Sequence, residues 1–112
     1  MGLKEGLEAE DKASFYLQKI GFKVIERNFH SKFGEIDIVA SKEGILHFCE
    51  VKFSQRSDPI LRITPAKMAK IIKTIGYYFL TKRVDCDYEI DAILVTPEKI
   101  EIVNNITLRL YC

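Results

Sequence analysis

The sequence has little of what marks several specialised classes of protein. It contains no tryptophan, only three prolines and three cysteines in 112 residues. The cysteines are odd in number, widely spaced and without a CxxC pair, so neither a disulfide framework nor a zinc site is expected. They are Cys49, Cys86 and Cys112. The apolar runs are far too short to span a bilayer, and the charged N-terminal stretch has no apolar signal-peptide core. We therefore expect a cytoplasmic protein that does not bind membranes.

The sequence also lacks a Gly-rich phosphate loop, a GxSxG motif and an excess of charge of one sign. Its formal net charge of +1 gives no support for nucleic-acid binding. The distribution of the charge gives some, because residues 51–84 contain eight basic residues and one acidic residue, a net charge of +7. Such a local excess is typical of a phosphate-binding surface on a nearly neutral protein. The alternative is an ordinary solvated helix face.

Length and composition are those of one globular domain over residues 1–112, with 47% hydrophobic and 29% charged residues. The predicted elements are a helix, three strands, a helix and two strands. The helices are expected over 3–20 and 65–82, and the strands over 22–29, within a hairpin at 34–52, and over 88–96 and 100–103. This order predicts an α/β sandwich, with a helix on each side of a mixed five-stranded sheet. The second helix would provide the crossover that lets a later strand run parallel to its neighbour.

The stretch GEIDIVASKEGILHFCEVK, residues 34–52, places charged side chains in two strands that otherwise have a buried pattern. Alternate residues of a strand share a face. Ser41 opposite Leu46 gives a four-residue loop with a glycine available for a positive φ angle. In the same register Asp37 lies opposite Glu50, with both side chains on one face and roughly 5 Å apart. The hairpin thus predicts a pair of facing carboxylates.

Facing carboxylates repel each other unless a cation lies between them. Asp37 and Glu50 offer the oxygen ligands that Mg²⁺ and similar hard divalent ions take, and the carbonyl of Val51 is available as a third. Buried charges are otherwise found in ion pairs. The alternative is therefore a set of cross-strand salt bridges, with Glu35–Lys52 as the clearest candidate.

An aspartate on one strand and Glu-x-Lys on the next resemble the PD-(D/E)xK nuclease signature, here Asp37, Glu50 and Lys52. The longer text, RNFHSKFGEIDIVA followed by HFCEVK, resembles the YraN family of small bacterial proteins from about Gly6 to Asn105. It resembles the archaeal Holliday-junction resolvases more distantly. The resemblance implies the restriction-endonuclease-like fold, with Mg²⁺ or Mn²⁺ as the cofactor and the three signature residues in catalysis.

The first predicted helix carries a carboxylate, Glu10, at the centre of its apolar stripe. The stripe consists of Leu3, Leu7, Ala13, Leu17 and Ile20. If this helix packs beside the hairpin, Glu10 reaches Asp37 and Glu50 as a further catalytic residue and metal ligand. The alternative is an ion pair with a base such as Lys52. YraN-like sequences carry a glutamate at the matching position, so the resemblance favours the metal site.

Basic and aromatic residues after the hairpin are the predicted nucleic-acid contacts. The second helix has an apolar face formed by Met68, Ile71, Ile72, Ile75 and Phe79. Its other face carries Lys67, Lys70, Thr74 and Tyr77, with Lys73 beside them. A row of lysines with a tyrosine is suited to follow a phosphate backbone. Gln55 and Arg56 follow the active strand closely and are also expected to face the site. Plain solubilisation is the alternative for each lysine.

Some polar residues fall outside this set. His47 lies on the opposite strand face from Glu50, so it is not expected in the site. Asp91 is expected to support the core or the edge of the sheet. Arg27 and Asn28 match an Arg-Asn pair of the YraN family, and they contact either a phosphate or a neighbouring turn.

The predicted function is metal-dependent hydrolysis of DNA phosphodiester bonds. The chain is too short for a separate domain that reads base sequence, which favours recognition of branched or otherwise structured DNA. A homodimer is expected by analogy with the resolvases. The alternative from another class is a non-catalytic nucleic-acid-binding module on a nuclease fold.

Overall fold

The computed structural model describes residues 3–55 and 63–107, and the order of its elements is the predicted one. The elements are α1 (Leu3–Lys19), β1 (Lys23–His30), β2 (Glu35–Lys42), β3 (Ile45–Phe53), α2 (Pro65–Lys82), β4 (Tyr88–Val95) and β5 (Ile100–Val103). The five strands lie in one sheet in chain order. Strands β3 and β4 are parallel, and the other neighbours are antiparallel. The mixed sheet is therefore confirmed, with α2 as the crossover between its parallel strands.

A helix covers each face of the sheet, which confirms the α/β sandwich. On one face α1 packs with Ala9, Ala13 and Leu17 against a cluster that includes Ile38, Ala40, Cys49, Ile93 and Val95. On the other face α2 packs with Met68, Ile71, Ile75 and Tyr78 against a cluster that includes Phe29, Ile36, Val39 and Phe48. No helix within residues 3–55 and 63–107 is long and apolar enough to cross a membrane.

The face that α1 buries differs from the predicted stripe. Its buried apolar residues recur every fourth position, at Ala9, Ala13 and Leu17. Leu7 and Ile20, both predicted inside, are 49% and 37% exposed. Small side chains let the helix backbone approach the sheet closely, so the helix turns its alanines inward and its larger residues toward the flanks. The spacing of the apolar residues in the sequence did not predict this rotation of the helix.

The helix α2 has the predicted bounds, and Met68, Ile71 and Ile75 of its predicted inner face are buried, but two positions differ from the prediction. It begins at Thr64, whose side chain caps the first turn, and continues with Pro65. Thr74, predicted on the outer face, is fully buried, whereas Ile72, predicted on the inner face, is 40% exposed. The loop between β1 and β2 packs over Thr74, a tertiary contact that no helix periodicity contains.

The hairpin of β2 and β3 has the predicted register. Ser41 pairs with Leu46, and the pairing extends one position further to Lys42 and Ile45. The loop is therefore two residues long, Glu43–Gly44, and not four. Both loop residues have positive φ angles, 53° and 81°, as a type I′ turn requires. The short turn fixes the register that brings the acidic residues together at the other end.

Candidate active site

Two carboxylates meet where the pairing between β2 and β3 stops. The paired residues run as far as Ile38 and Cys49, so the next position on each strand is Asp37 and Glu50. There the backbone N–H of Val51 donates to Oδ2 of Asp37 at 2.8 Å. The Asp37 carboxylate also lies within hydrogen-bond reach of Glu50. The structure thus brings this acid pair together, as the register predicted.

The local reason for this opening is a change of face along β2, next to the edge strand β1. Residues two apart in a regular strand face the same side. In β2, however, Ile38 packs in the cluster under α1, whereas Ile36 packs in the cluster under α2. Asp37 lies between them, and its neighbour on β1, Asn28, has a left-handed φ of 54°. This twist leaves Asp37 at a junction where neither helix covers it completely.

A pocket of about 180 Å³ opens onto the acid pair. It is lined by Gly34, Glu35, Asp37, Glu50, Val51, Lys67, Lys70 and Ile71. Glu50 is only 6% exposed, so its carboxyl group belongs to the floor of the pocket. The pocket joins the hairpin to the first turns of α2, which brings a basic helix to an acidic sheet edge.

The environment of Glu50 favours its neutral form. Burial, the charge of Asp37 and the hydrogen bond with Asp37 raise the pKa of Glu50 to about 8, against the opposing effects of Lys67 and Lys52. The two carboxylates therefore have less positive charge around them than full ionisation needs. Either a proton or a cation supplies the difference, and oxygen ligands of this kind fit a hard divalent ion.

Two lysines face the carboxylates. Nζ of Lys67 lies 3.7 Å from Oε1 of Glu50, so Lys67 points into the pocket and not outward with the other lysines of α2. Burial, followed by the neighbouring Lys67, lowers the pKa of Lys52. Burial also acts to lower the pKa of Lys67, but the negative charge of Glu50 and the contacts with Lys52 and Asp37 raise it overall. Of the two lysines, Lys52 therefore gives up its proton more readily.

Glu10 lies at the edge of this site and is held by residues of β1. Its carboxylate is 3.8 Å from Nη2 of Arg27 and accepts a hydrogen bond from the Asn28 side chain. Burial, followed by the charge of Asp37, raises the pKa of Glu10. Within the described part of the chain, Oε1 of Glu10 is a buried oxygen without a hydrogen-bond partner. Its role as a metal ligand stays a prediction.

The Arg-Asn pair of β1 is a link to α1. Arg27 donates to Oδ1 of Asp11 at 2.8 Å and approaches Glu10, while Asn28 binds Glu10 from the adjacent position. Of the two predicted roles, the contact with a neighbouring element is the one these distances support. The pair orients the glutamate beside the acid pair.

The alternative ion pairs of the hairpin do not account for its charges. The alternative for Glu35 was a salt bridge with Lys52, but Glu35 lies 3.2 Å from Nδ1 of His30, with both side chains more than half exposed. Lys52 instead adjoins Lys67 and the carboxylate of Glu50. Asp37 and Glu50 are thus left facing the two lysines.

The other predicted nucleic-acid contacts lie around the pocket. Lys70 lines it directly, and Lys73 and Tyr77 are exposed further along α2. Gln55 is exposed just after β3. Arg56 lies outside the described residues. Lys70 and Lys73 are thus exposed on the helix that lines the pocket, and the binding role of all these residues stays a prediction.

A second polar cluster lies under α1. Nδ1 of His47 is 2.6 Å from Oδ2 of Asp91 and 3.6 Å from Oε2 of Glu89. Among the histidine, cysteine, aspartate and glutamate side chains of the described residues, these three form a group whose ligand atoms all lie within 4.8 Å of one another. Asp91 also accepts from the N–H of Asn105, and Glu89 accepts from the Asn104 side chain. These bonds join β3, β4 and the end of β5, which agrees with the predicted supporting role of Asp91.

Known proteins similar to this chain agree with the predicted family. Residues 9–95 match the uncharacterised protein family UPF0102, which is the YraN family. A UPF0102 protein of Helicobacter pylori (strain Shi470) is 52% identical over 103 residues, which cover 92% of this chain and 90% of that protein. A UPF0102 protein of Nitratiruptor sp. is 45% identical over 111 residues, covering 96% of this chain and 99% of that protein.

Among solved structures, the chain is similar to Hjc of Archaeoglobus fulgidus, a Holliday junction resolvase, with a TM-score of 0.62. The two are 20% identical, and the match covers 85% of this chain and 72% of the resolvase. This likeness establishes the fold, and it confirms the restriction-endonuclease-like architecture. Because the family match extends over most of the sequence and the relatives align along nearly their whole length, this chain belongs to the uncharacterised protein family UPF0102.

Proposed function

We propose that this protein is a divalent-metal-dependent nuclease that hydrolyses phosphodiester bonds in DNA. The observation that carries the proposal is the pocket lined by Asp37, Glu50 and Lys67, with Lys52 adjoining Glu50 and Lys67. A buried carboxylate pair together with two ammonium groups is suited to bind a cation and a phosphate side by side. The raised pKa of Glu50 supports the same proposal, because it reflects a shortage of positive charge that Mg²⁺ or Mn²⁺ would supply.

The first task of the residues is to hold the metal. Asp37 and Glu50 would be its protein ligands, with the carbonyl of Val51 as a third oxygen. The N–H of Val51 fixes one oxygen of Asp37 at 2.8 Å, which orients the carboxylate before any ion arrives. When bound, a divalent ion supplies a water of lowered pKa and positive charge beside the scissile phosphate.

The two lysines have different tasks because their surroundings differ. Burial and the proximity of Lys67 lower the pKa of Lys52, and its place beside Glu50 suits it to orient the attacking water or to stabilise the transition state. The pKa of Lys67 is raised, so this side chain keeps its charge and is placed to bind an oxygen of the phosphate. Lys67 thus moves from the predicted set of outer nucleic-acid contacts to the proposed catalytic set.

Glu10 completes the site from the side of α1. Its buried Oε1 provides a further acceptor for a water or a second ion near Asp37. Arg27 lies 3.8 Å from this same oxygen and Asn28 bonds to the carboxylate, so they act as positioning residues.

The predicted nucleic-acid contacts would hold the flanking backbone. Lys70, Lys73 and Tyr77 follow the outer side of α2, and Gln55 and Arg56 follow β3 in the sequence. The structural neighbour is a Holliday junction resolvase, so branched DNA is the proposed substrate by analogy. The homodimer stays a prediction on the same analogy.

A cleavage assay tests this proposal. Labelled single-stranded, duplex, flap and four-way-junction DNA would be incubated with Mg²⁺ or Mn²⁺ and the wild-type protein or Glu50→Gln. The matched control is Glu89→Gln, a half-buried glutamate of the cluster under α1. We expect metal-dependent cutting by the wild type and the control and none by Glu50→Gln. Binding without cutting, equal in all three proteins, would contradict the nuclease and favour the non-catalytic binding module.

A further inference from the structure

The loop between β1 and β2 is fixed against α2 beside the pocket. The hydroxyl oxygens of Ser31 and Thr74 lie 3.1 Å apart, within hydrogen-bond distance. The same Ser31 oxygen accepts from the backbone N–H groups of Phe33 and Gly34 at 3.1 and 3.3 Å. A Cβ added to Gly34 would lie 3.8 Å from Cβ of Lys70, so the loop touches the helix closely. The loop therefore presents its side chains from a defined position.

The side chain presented there is an aromatic ring with the ammonium groups of two lysines over it. Phe33 is 36% exposed. Nζ of Lys32 lies 5.3 Å from the centroid of its ring, and Nζ of Lys73 lies 5.8 Å from it. Single exposed apolar residues are common on protein surfaces and need no function. Phe33 differs because its loop is anchored, its neighbours are basic, and the next residue, Gly34, lines the pocket of the acid pair.

The chemistry of this surface selects one kind of ligand. Lysines attract phosphates, and an exposed aromatic ring gains most from the flat face of a nucleobase. In a duplex the base faces are hidden by stacking, and only base edges and the backbone are accessible. A ring held in place by an anchored loop also loses little conformational freedom when it stacks.

We propose that Phe33, flanked by Lys32 and Lys73, stacks on an unpaired base of a nucleic-acid strand whose neighbouring phosphate enters the pocket of Asp37 and Glu50. This inference rests on the proposed nuclease function and specifies its substrate class. The substrate carries an unpaired nucleotide next to the bond that is cut, as a single strand, a flap or a distorted junction does. A continuous duplex does not offer that base.

A direct binding measurement tests base stacking by Phe33 separately from catalysis. Binding of a fluorescein-labelled single strand and of the matching duplex would be measured by anisotropy in EDTA, where no metal-dependent cutting occurs. The proteins are the wild type, Phe33→Leu, Phe33→Tyr and the control Phe15→Ala, which removes a phenylalanine that is 72% exposed on α1. Circular dichroism melting would show that each variant is folded.

We expect Phe33→Leu to weaken single-strand binding about 5- to 150-fold, the range for the loss of one stacked base. Phe33→Tyr keeps a ring and should keep the affinity, and Phe15→Ala should match the wild type. Duplex binding should change little in all variants. A 2-aminopurine in the strand should be quenched by the wild type and by Phe33→Tyr but not by Phe33→Leu.

Equal single-strand affinities of the wild type, Phe33→Leu and Phe33→Tyr would overturn the proposal that Phe33 stacks on a base. If the wild type still cut DNA in the presence of Mg²⁺, the nuclease proposal would stand without base stacking by Phe33. A wild type that binds no DNA of any form would overturn both proposals together.

Discussion

Nζ of Lys67 lies 3.7 Å from Oε1 of Glu50, and this contact joins the first turn of α2 to the end of β3. The Lys67 side chain is 44% exposed, whereas that of Glu50 is 8% exposed. The helix therefore delivers a charged group from solvent to a buried acid. The contact is long for a direct ion pair, which in the proposed reaction would let the ammonium group turn toward a phosphate.

The first prediction concerns this contact. Lys67 acts to lower the pKa of Glu50, so Lys67→Met should raise the pKa of Glu50 further above its ordinary range. A pH titration followed by the ¹³C shift of the Glu50 carboxyl carbon would measure the change. The control is Lys70→Met, one turn along the same helix, which should leave the titration close to that of the wild type. Equal shifts in the two variants would contradict a specific effect of Lys67.

The second prediction concerns stability against pH in metal-free protein. The pKa of Glu50 is raised from 4.5 to about 8 in the folded state. Between these values the folded state holds a proton that the unfolded state has lost, so the free energy of unfolding should fall as pH rises through this window. The slope from this group is at most about 1.4 kcal/mol per pH unit.

Glu50→Gln should remove that slope, because its amide stays neutral and fills the same space. Urea denaturation at a series of pH values between these limits would measure it. Glu98→Gln removes a glutamate from the exposed turn after β4 and serves as the control, which should keep the slope of the wild type. A variant Glu50→Gln with the pH dependence of the wild type would show that Glu50 ionises normally.

The hairpin shows how much of the site could be predicted from the sequence. The pairing of Ser41 with Leu46 followed from strand alternation and a glycine-containing turn, and it placed Asp37 beside Glu50 correctly. These are local relations, and local rules of strand geometry suffice for them. The order of elements and the sandwich followed for the same reason.

What the sequence did not contain is the rotation of elements that are distant in the chain. Lys67 has the same spacing as the outer lysines of α2, and only the docking of the helix beside Glu50 turns it inward. In the sequence Phe33 lies in a polar connection, and only the packing of this loop on Thr74 shows that its position is fixed. The contact of His47 with Asp91 depends on the register of two parallel strands separated by a whole helix.

The third prediction distinguishes the two acidic clusters by metal binding. Mg²⁺ or Mn²⁺ should raise the melting temperature of the wild type, because a ligand that binds only the folded state stabilises it. At a concentration ten times its dissociation constant, the gain is about 1.4 kcal/mol. Asp37→Asn should lose this gain. Glu89→Gln should keep it, because Glu89 and Asp91 are engaged with one another, with His47 and with the turn after β5.

Differential scanning calorimetry in EDTA and in millimolar Mg²⁺ would measure both variants. The reverse result, a gain lost in Glu89→Gln and kept in Asp37→Asn, would place the ion under α1 and exclude it from the pocket.

The last prediction concerns Asn28, which combines a left-handed backbone with a side-chain bond to Glu10. Asn28→Ala should destabilise the fold by about 1–2 kcal/mol, the cost of this conformation for a residue with a Cβ and no local polar group. Asn28→Gly avoids that strain but, like alanine, removes the bond. Since the Asn28 bond acts to lower the pKa of Glu10, both variants should raise that pKa.

Asn105 is the matched control, because its φ angle is also 54° and it lies in the turn after β5. Asn105→Ala should cost similar stability in urea denaturation and leave the ¹³C titration of Glu10 unchanged. An equal change in the Glu10 titration for Asn28→Ala and Asn105→Ala would mean that loosening the fold is enough to move it. A change in the Glu10 titration confined to the Asn28 variants would show that Asn28, one of the Arg-Asn pair, sets the charge of Glu10 beside Asp37.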